Sequence, residues 1–319
     1  MTDARQPPLG FGARSAPPEM PPLEAEVWRD FIRQRSGLDY TPNRLHFMQQ
    51  RLWERMCRRR ATSYSEYYHH VAYSSEGEVE WQELLETLVN RETGFFRHQP
   101  SYDALMGTVL PRLMAEPERQ LTRRLALWSA GCSTGQEAYS LAMAFLEVAQ
   151  ASNRPPAWPA GATQPADTAD WQVLVYGSDI SPRALERARR GRYRDYEVRF
   201  MPEQYRRRYL AAEDDGRRGT AYRVIDPVAQ RVSFGHTNLA APDSYPAAAQ
   251  DVIFCQNVLI YFQPADRIEV VRRLVGRLCP GGYLFLAPAE VVGLRLPGVQ
   301  PVRLADVLLY QRQPEAGAR

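Results

Sequence analysis

The sequence predicts an α/β protein: a doubly wound parallel sheet, preceded by an all-helical domain and carrying a small inserted β subdomain. Three observations carry this reading. From about residue 121, short continuous apolar runs alternate with amphipathic helices, as in parallel strands covered on both faces. Residues 23–90 repeat their apolar positions at three- and four-residue steps, the spacing of helices. A charged stretch, Arg192–Phe234, interrupts the alternation.

The chain has 319 residues, enough for two domains at roughly 100–200 residues each. It is 44% hydrophobic and 24% charged, and 40 basic against 37 acidic residues leave a formal charge of +3. That balance gives no global attraction to nucleic acid or an anionic membrane. Every basic residue is Arg. A Schiff-base lysine, an amine base and the P-loop lysine are thereby excluded. Arg keeps its proton, so a cation in a site here acts as a clamp or electrostatic aid. Cys57, Cys132, Cys255 and Cys279 form no C-x-x-C pair and lack a His at zinc spacing, so no metal site is expected. No apolar run reaches the length of a membrane span, and the start lacks the order of a signal peptide. The expectation is a soluble, reduced, cytoplasmic protein.

Taken in order, Pro-rich residues 1–22 read as a disordered lead. Residues 23–92 form the helical domain, with Val27, Phe31 and Leu38, then Leu45, Met48, Leu52 and Met56, then Leu84, Leu85 and Leu88 as its apolar steps. On a helix over Asn43–Arg60, the residues Arg44, Arg51, Arg55, Arg58 and Arg59 fall within roughly a third of the circumference at ~100° per residue. Only Glu54 opposes them within that helix. The stripe reads as a solvated face or as a surface for an acidic partner. Strands are expected at Leu125–Ala130, Val173–Ser178, Asp251–Gln256 and Tyr283–Ala287, with helices at Gln136–Ala149, Pro182–Arg190 and Pro264–Leu278. The Pro/Ala segment Ala151–Ala169 reads as a surface loop. Residues 192–234 read as the inserted subdomain, with strand-like Tyr222–Ile225 and Arg231–Phe234, and 313–319 as a tail.

The chemistry gathers where strands meet helices. The first strand runs into Gly131-Cys132-Ser133-Thr134-Gly135, small residues that permit close backbone approach beside a helix N-terminus. The spacing is not the dinucleotide G-x-G-x-x-G, which disfavours a nicotinamide enzyme. Glu137 stands three residues after Thr134. It fits a capping box, and it equally fits a carboxylate at a cleft mouth awaiting a cation. Asp179 ends the second strand, ahead of Ser181 as N-cap, Pro182 as first helical residue and Gly191 as stop. An acid there suits ribose hydroxyls. Gln256 and Asn257 end a strand with amides that are costly to bury unpaired. Cys255 reads as a core thiol and His236 as structural, while His98 has no assigned role.

Thr93-Gly94-Phe95-Phe96-Arg97 is followed in order by WSAGCSTGQEAYSLA, YGSDISPRAL, VSFGHTNL, FCQNVLIYF and LCPGGYLFLAPAE. Over residues 25–312 the chain resembles the CheR-type chemotaxis-receptor glutamate methyltransferases. The resemblance implies a class I methyltransferase (Rossmann-like) domain over 93–312, with residues 192–234 as its β subdomain. It implies S-adenosylmethionine as methyl donor, S-adenosylhomocysteine as product, and a glutamate on the cytoplasmic helical region of a chemoreceptor as acceptor. The helical domain would face that receptor, the Arg stripe docking on its acidic helix. By motif position, Thr93, Arg97, Gly131 and Glu137 line the donor site, Asp179 takes the ribose and Asn238-Leu239 the adenine. Gln256 and Asn257 fall where the family has an Arg-Asn pair, and Arg97 and Tyr261 match residues of the transfer step.

Three departures stand out. Arg91 occupies a position where the family often has Asn, Gln256 replaces Arg, and Ala287-Pro288-Ala289-Glu290 replaces a Gly-His-Ser-Glu stretch. They leave open a carboxyl methyltransferase with another protein or small-molecule acceptor, or a binding module without turnover.

Overall fold

The computed structural model describes residues 16–90, 92–152, 171–216, 219–290 and 297–313. Most of the expected lead (1–22), most of the Pro/Ala segment (Ala151–Ala169), Arg91 and the tail from 314 lie outside the described residues. The chain divides into two compact units, Met1–Asn90 and Arg91–Arg319. Among the described residues, no helix is long and apolar enough to cross a membrane.

Among its described residues the first unit holds the α-helices α1 (Pro22–Ser36), α2 (Leu45–Arg59), α3 (Tyr64–Tyr73) and α4 (Gly77–Leu88), with a 3-10 turn at Pro42–Arg44. Met48, Leu52 and Met56 of α2 and Leu84 and Leu88 of α4 are buried, as the periodicity predicts. In α1 the buried face is Trp28 and Ile32, while Val27 is 41% exposed. The expected stripe was thus displaced by one residue. The lead is tied down at Pro18, whose carbonyl accepts from Gln49 Nε2 and Tyr64 Oη.

The Arg stripe on α2 is largely neutralised, and by α4 rather than by α2 itself. Glu80 is fully buried and takes both Arg55 Nε and Nη2, at 2.9 and 2.8 Å. Its carboxylate also accepts from Arg59 Nε and Tyr67 Oη. Arg55 is buried and reaches Glu83 too, and Arg59 reaches Glu76. Arg55 therefore cannot be part of a docking face, and Arg59 is committed to two acids. Arg51 pairs with Glu54 and lies over the Phe47 ring, and Arg44 lies over Tyr40. Arg58 is exposed. Burial works to raise the Glu80 carboxyl, but hydrogen bonds from Arg55, Tyr67 and Arg59 outweigh it and hold its pKa below the ordinary value.

The second unit opens with helices α5 (Gln99–Ala104), α6 (Leu110–Ala115) and α7 (Pro117–Thr122), α5 and α6 being joined by a π-helical stretch, Leu105–Val109. It continues with β1 (Arg124–Ala130), α8 (Gln136–Ser152), β2 (Gln172–Asp179), α9 (Pro182–Arg190), β3 (Arg192–Arg194), α10 (Asp195–Val198), α11 (Glu203–Tyr209), β4 (Leu210–Asp214), β5 (Thr220–Val224) and α12 (Asp226–Ala229). Then come β6 (Val232–His236), β7 (Gln250–Cys255), α13 (Pro264–Gly276), β8 (Leu278–Leu286), β9 (Val299–Leu304) and β10 (Val307–Arg312). The large sheet has the order β6-β2-β1-β7-β8-β10-β9, parallel up to β8 and antiparallel through β10 and β9. β3, β5 and β4 form the separate antiparallel sheet.

The insert is shorter than expected. Val232–His236 is the parallel edge strand beside β2, with Val175 opposite Val232. The partners of Thr220–Val224 are β3 and β4. A short run of mixed polarity suits an edge strand as well as a hairpin, so local pattern did not separate the two.

Arg55→Ala removes the cation that meets Glu80 with two bonds. It should lower the unfolding free energy by about 3–5 kcal/mol, the cost of stranding a buried charge. Arg58→Ala should change it by less than about 0.5 kcal/mol. Urea denaturation of the full chain checks both. Because the Glu80 pKa is depressed on folding, the stability it contributes should also be lost as pH falls below the ordinary carboxylate range.

Candidate active site

β1 pairs in parallel with β2 on one side and β7 on the other. The connections leave β1 in one direction and β7 in the other, which makes a crevice at the carboxyl ends of these strands. The loop after β1 is zipped to the end of β2: the Gly131 and Cys132 N–H groups both donate to the Ser178 carbonyl at 2.8 Å. Gly131 has φ +89°, and a Cβ there would lie 2.4 Å from Val258 Cγ2. Gly135 has φ +95°, and its Cβ would lie 2.8 Å from Ala188 Cβ. Both glycines are required by neighbouring protein as well as by backbone conformation.

Asp179 is half-buried. One oxygen accepts the Ser133 N–H at 2.8 Å and the other the Ser181 N–H at 2.9 Å. Ser181 caps α9 by accepting from Ala184 N–H, and Gly191 ends that helix at φ 56°, both as expected. Beside β2, Asn238 and Leu239 follow β6. Asn238 Oδ1 accepts the Ala240 N–H, and the Leu239 carbonyl accepts from Tyr245 Oη.

Glu137 turns away from the capping geometry and accepts from Ser129 Oγ of β1 at 2.7 Å. Burial pushes its pKa up to about 7; the Ser129 bond opposes this, Glu290 adds to it and Arg97 opposes it. The neighbouring thiols stay protonated, because burial raises Cys132 and Cys255 well above the ordinary value. Both are buried core residues, as the reading of Cys255 has it.

Thr93 and Arg97 flank two aromatic anchors. Phe95 meets the Tyr193 ring edge-on at 4.9 Å, and Phe96 stacks on Tyr205 at 4.9 Å. Phe96 adopts φ 51°, and its N–H donates to Ser140 Oγ of α8. Arg97 is left exposed, with Nη1 on the Glu92 carbonyl.

At the end of β7, Gln256 Nε2 donates to Ser101 Oγ at 2.9 Å, and His98 Nδ1 lies 2.8 Å from the same hydroxyl. Gln256 is thus tied to α5, and the unassigned His98 belongs to that chain of bonds. Asn257 has φ 62°, and Tyr261 closes a 3-10 turn, Leu259–Tyr261. The buried Glu290 carboxylate binds this segment, accepting from the N–H groups of Asn257 at 3.2 Å and Ile260 at 3.3 Å, and from Ala287 at 3.0 Å. Sequence reasoning passed over Ser101 and Ser129, and it named Glu290 in a departure from the family pattern without giving it a role. The available signal was a polar residue inside a run otherwise fit for burial.

Two family models match the chain. The model described as the CheR methyltransferase all-alpha domain covers residues 23–89, and the CheR methyltransferase SAM binding domain covers 91–302. The chain is 30% identical over 264 residues to chemotaxis protein methyltransferase 2 of Vibrio cholerae serotype O1, covering 82% of this chain and 83% of that one. It is 30% identical over 259 residues to the chemotaxis protein methyltransferase of Escherichia coli strain K12, covering 81% of each. It is 32% identical over 283 residues to the probable biofilm formation methyltransferase WspC of Pseudomonas putida, covering 88% of this chain and 60% of that longer one. With both models matched in chain order over a fold of the expected class, the chain belongs to the CheR methyltransferase family, and its cofactor is S-adenosylmethionine.

Proposed function

We propose that this chain forms γ-methyl esters on glutamate side chains in the cytoplasmic helical region of a chemotaxis-type receptor. The observation that carries the reading is a half-buried carboxylate, Glu137, bonded to Ser129 of β1 and within electrostatic reach of the exposed Arg97 guanidinium. The donor's groups fit the residues present. Glu137, whose ionisation burial disfavours, gains from an ammonium; Asp179, half-buried at the carboxyl end of β2, is an acid of the kind that suits a ribose diol. Asn238 and Leu239 border the adenine, Gly131 keeps the floor low, and Thr93, Gln256 and Asn257 complete the rim.

The bound donor supplies a methyl group on a sulfonium. An acceptor carboxylate oxygen forms the new O–C bond as the C–S bond breaks, and the electron pair stays on sulfur. A glutamate carboxyl has an ordinary pKa near about 4.3, so it is ionised without a general base. Opposite charges disappear together, so strong binding of either one would favour the ground state. Alignment and exclusion of water are the useful levers, and proximity supplies up to ~7–11 kcal/mol. Arg97 orients the acceptor carboxylate, and Tyr261 hydrogen-bonds beside the reacting groups. On the helical unit, the exposed Arg58 is the member of the stripe proposed to meet the acceptor.

The relatives named for chemotaxis support a receptor acceptor. The relative named for biofilm formation favours a second reading, the same ester chemistry on another signalling protein. Base-labile methyl incorporation into receptor cytoplasmic fragments, compared with other acceptors, decides between them. Absence of base-labile label from every acceptor would leave a binding module.

Arg97→Ala should reduce kcat by about a hundredfold while S-adenosylhomocysteine affinity, read by calorimetry, stays close to that of the parent protein. A second measurement follows protons. Glu137 titrates near pH 7 in the free protein, and a bound ammonium favours its ionised form. Between about pH 5.5 and 7.5, where an α-ammonium keeps its charge, S-adenosylhomocysteine binding should release protons and weaken as pH falls. Glu137→Gln should abolish the release, as read from binding enthalpies in buffers of different ionisation heat.

A further inference from the structure

We propose that Glu290 is a positioning residue for the donor site: its buried carboxylate holds the segment Asn257–Tyr261 in place. The inference deepens the functional reading and rests on it, since it takes Asn257 and Tyr261 as the groups being positioned.

The geometry comes from three elements. Glu290 ends a 3-10 turn after β8, with its own N–H on the Ala287 carbonyl. Its carboxylate is 4% exposed and spans from the Ala287 N–H to those of Asn257 and Ile260, with Leu259 N–H adding a fourth hydrogen bond. Those of Asn257, Leu259 and Ile260 follow the end of β7 in a turn outside the sheet ladder. Asn257 sits in the left-handed region at φ 62°, a conformation that costs a non-glycine residue about 1–3 kcal/mol unless its surroundings hold it. One carboxylate thus supplies acceptors to the turn and keeps the strained residue in place. A glutamine could accept at one atom but would present a second N–H group to donors.

The charge matters because of what faces Glu137. Tyr102 of α5, Cys132 of the β1 loop and Cys255 of β7 lie within electrostatic reach, and burial holds all three protonated. Ser129 is neutral. Glu290 and Arg97 are the charged groups that act on it, in opposite directions. Burial works to raise the Glu290 carboxyl as well, and the four N–H donors work to keep it ionised.

The test uses the full chain and S-adenosylhomocysteine as probe, so it needs no acceptor. Failure of the receptor-ester assay therefore bears on the functional reading alone. Glu290→Gln should bind the probe about tenfold or more weakly, and the acid limb of its affinity should move to lower pH, because a negative charge beside Glu137 is gone. Glu290→Asp, which keeps the charge but shortens the reach, should bind weakly with the limb in place; it also serves if Glu290→Gln does not fold. Parent-like affinity in whichever variant folds overturns the proposal. So does weakened binding by Glu290→Gln with an unmoved limb, since that would make Glu290 a residue of the fold only.

Discussion

Three carboxylates, Glu137, Asp179 and Glu290, meet at the carboxyl edge of one parallel sheet, and the arrangement of the site follows from how each is compensated. Asp179 takes backbone N–H groups from two different turns. Glu290 takes four from a single irregular stretch and from its own strand end. Glu137 has a hydroxyl, the opposing charge of Arg97, and burial that works against its ionisation. Backbone N–H groups are fixed dipoles that need no reorganisation, so the first two acids are settled by the fold itself. The third is the one whose balance an incoming cation can change.

That division explains the backbone around it. Ser133, Phe96 and Asn257 all adopt positive φ, and each lies beside a group given a role at the edge. Ser133 offers its N–H to Asp179. Phe96 turns the chain so that Arg97 leaves a pair of buried rings and faces outward. Asn257 leads into the turn that carries Tyr261. Such conformations persist where surrounding contacts over-determine them. Here those contacts are a carboxylate, an aromatic cluster and a second carboxylate. The left-handed residues and the acids are two views of one device: an acid collects N–H groups that a regular strand or helix would have aimed elsewhere.

The sequence showed the sheet because buried parallel strands are continuous apolar runs, and Leu125–Ala130 or Asp251–Cys255 have no other easy interpretation. It showed Asp179 because Ser181-Pro182 fixes the helix start and leaves the acid outside it. It did not separate β6 from the insert, nor reveal the β9–β10 hairpin or the helices over 99–122, where periodicity is short or interrupted. It misjudged the Arg stripe for a more general reason. Helix periodicity places Arg55 on a face, but whether that face meets water or Glu80 depends on a residue 25 positions away. Glu137 failed in the same way as a capping residue: its partner, Ser129, lies back on the preceding strand. Local pattern shows which side chains share a face; long-range pairing determines what that face touches.

The all-Arg composition closes the argument about charge. Arg keeps its proton near neutrality, and burial lowers the pKa of the one histidine named at this edge, His98. A response of the site to protons therefore passes through its carboxylates or through His98. Glu137 is suited to bind rather than to accelerate. The ammonium it would hold is present before and after methyl transfer, so its contribution is equal in ground and transition states and lowers no barrier. On the proposed function the rate must come from groups near the atoms that change, the role proposed for Arg97 and Tyr261. One sits on a pair of buried phenylalanines and the other at the end of the turn that Glu290 holds. Neither needs to move a proton. Both need to be in the right place, which is why so much of this edge is built from backbone held in conformations that only its neighbours make tolerable.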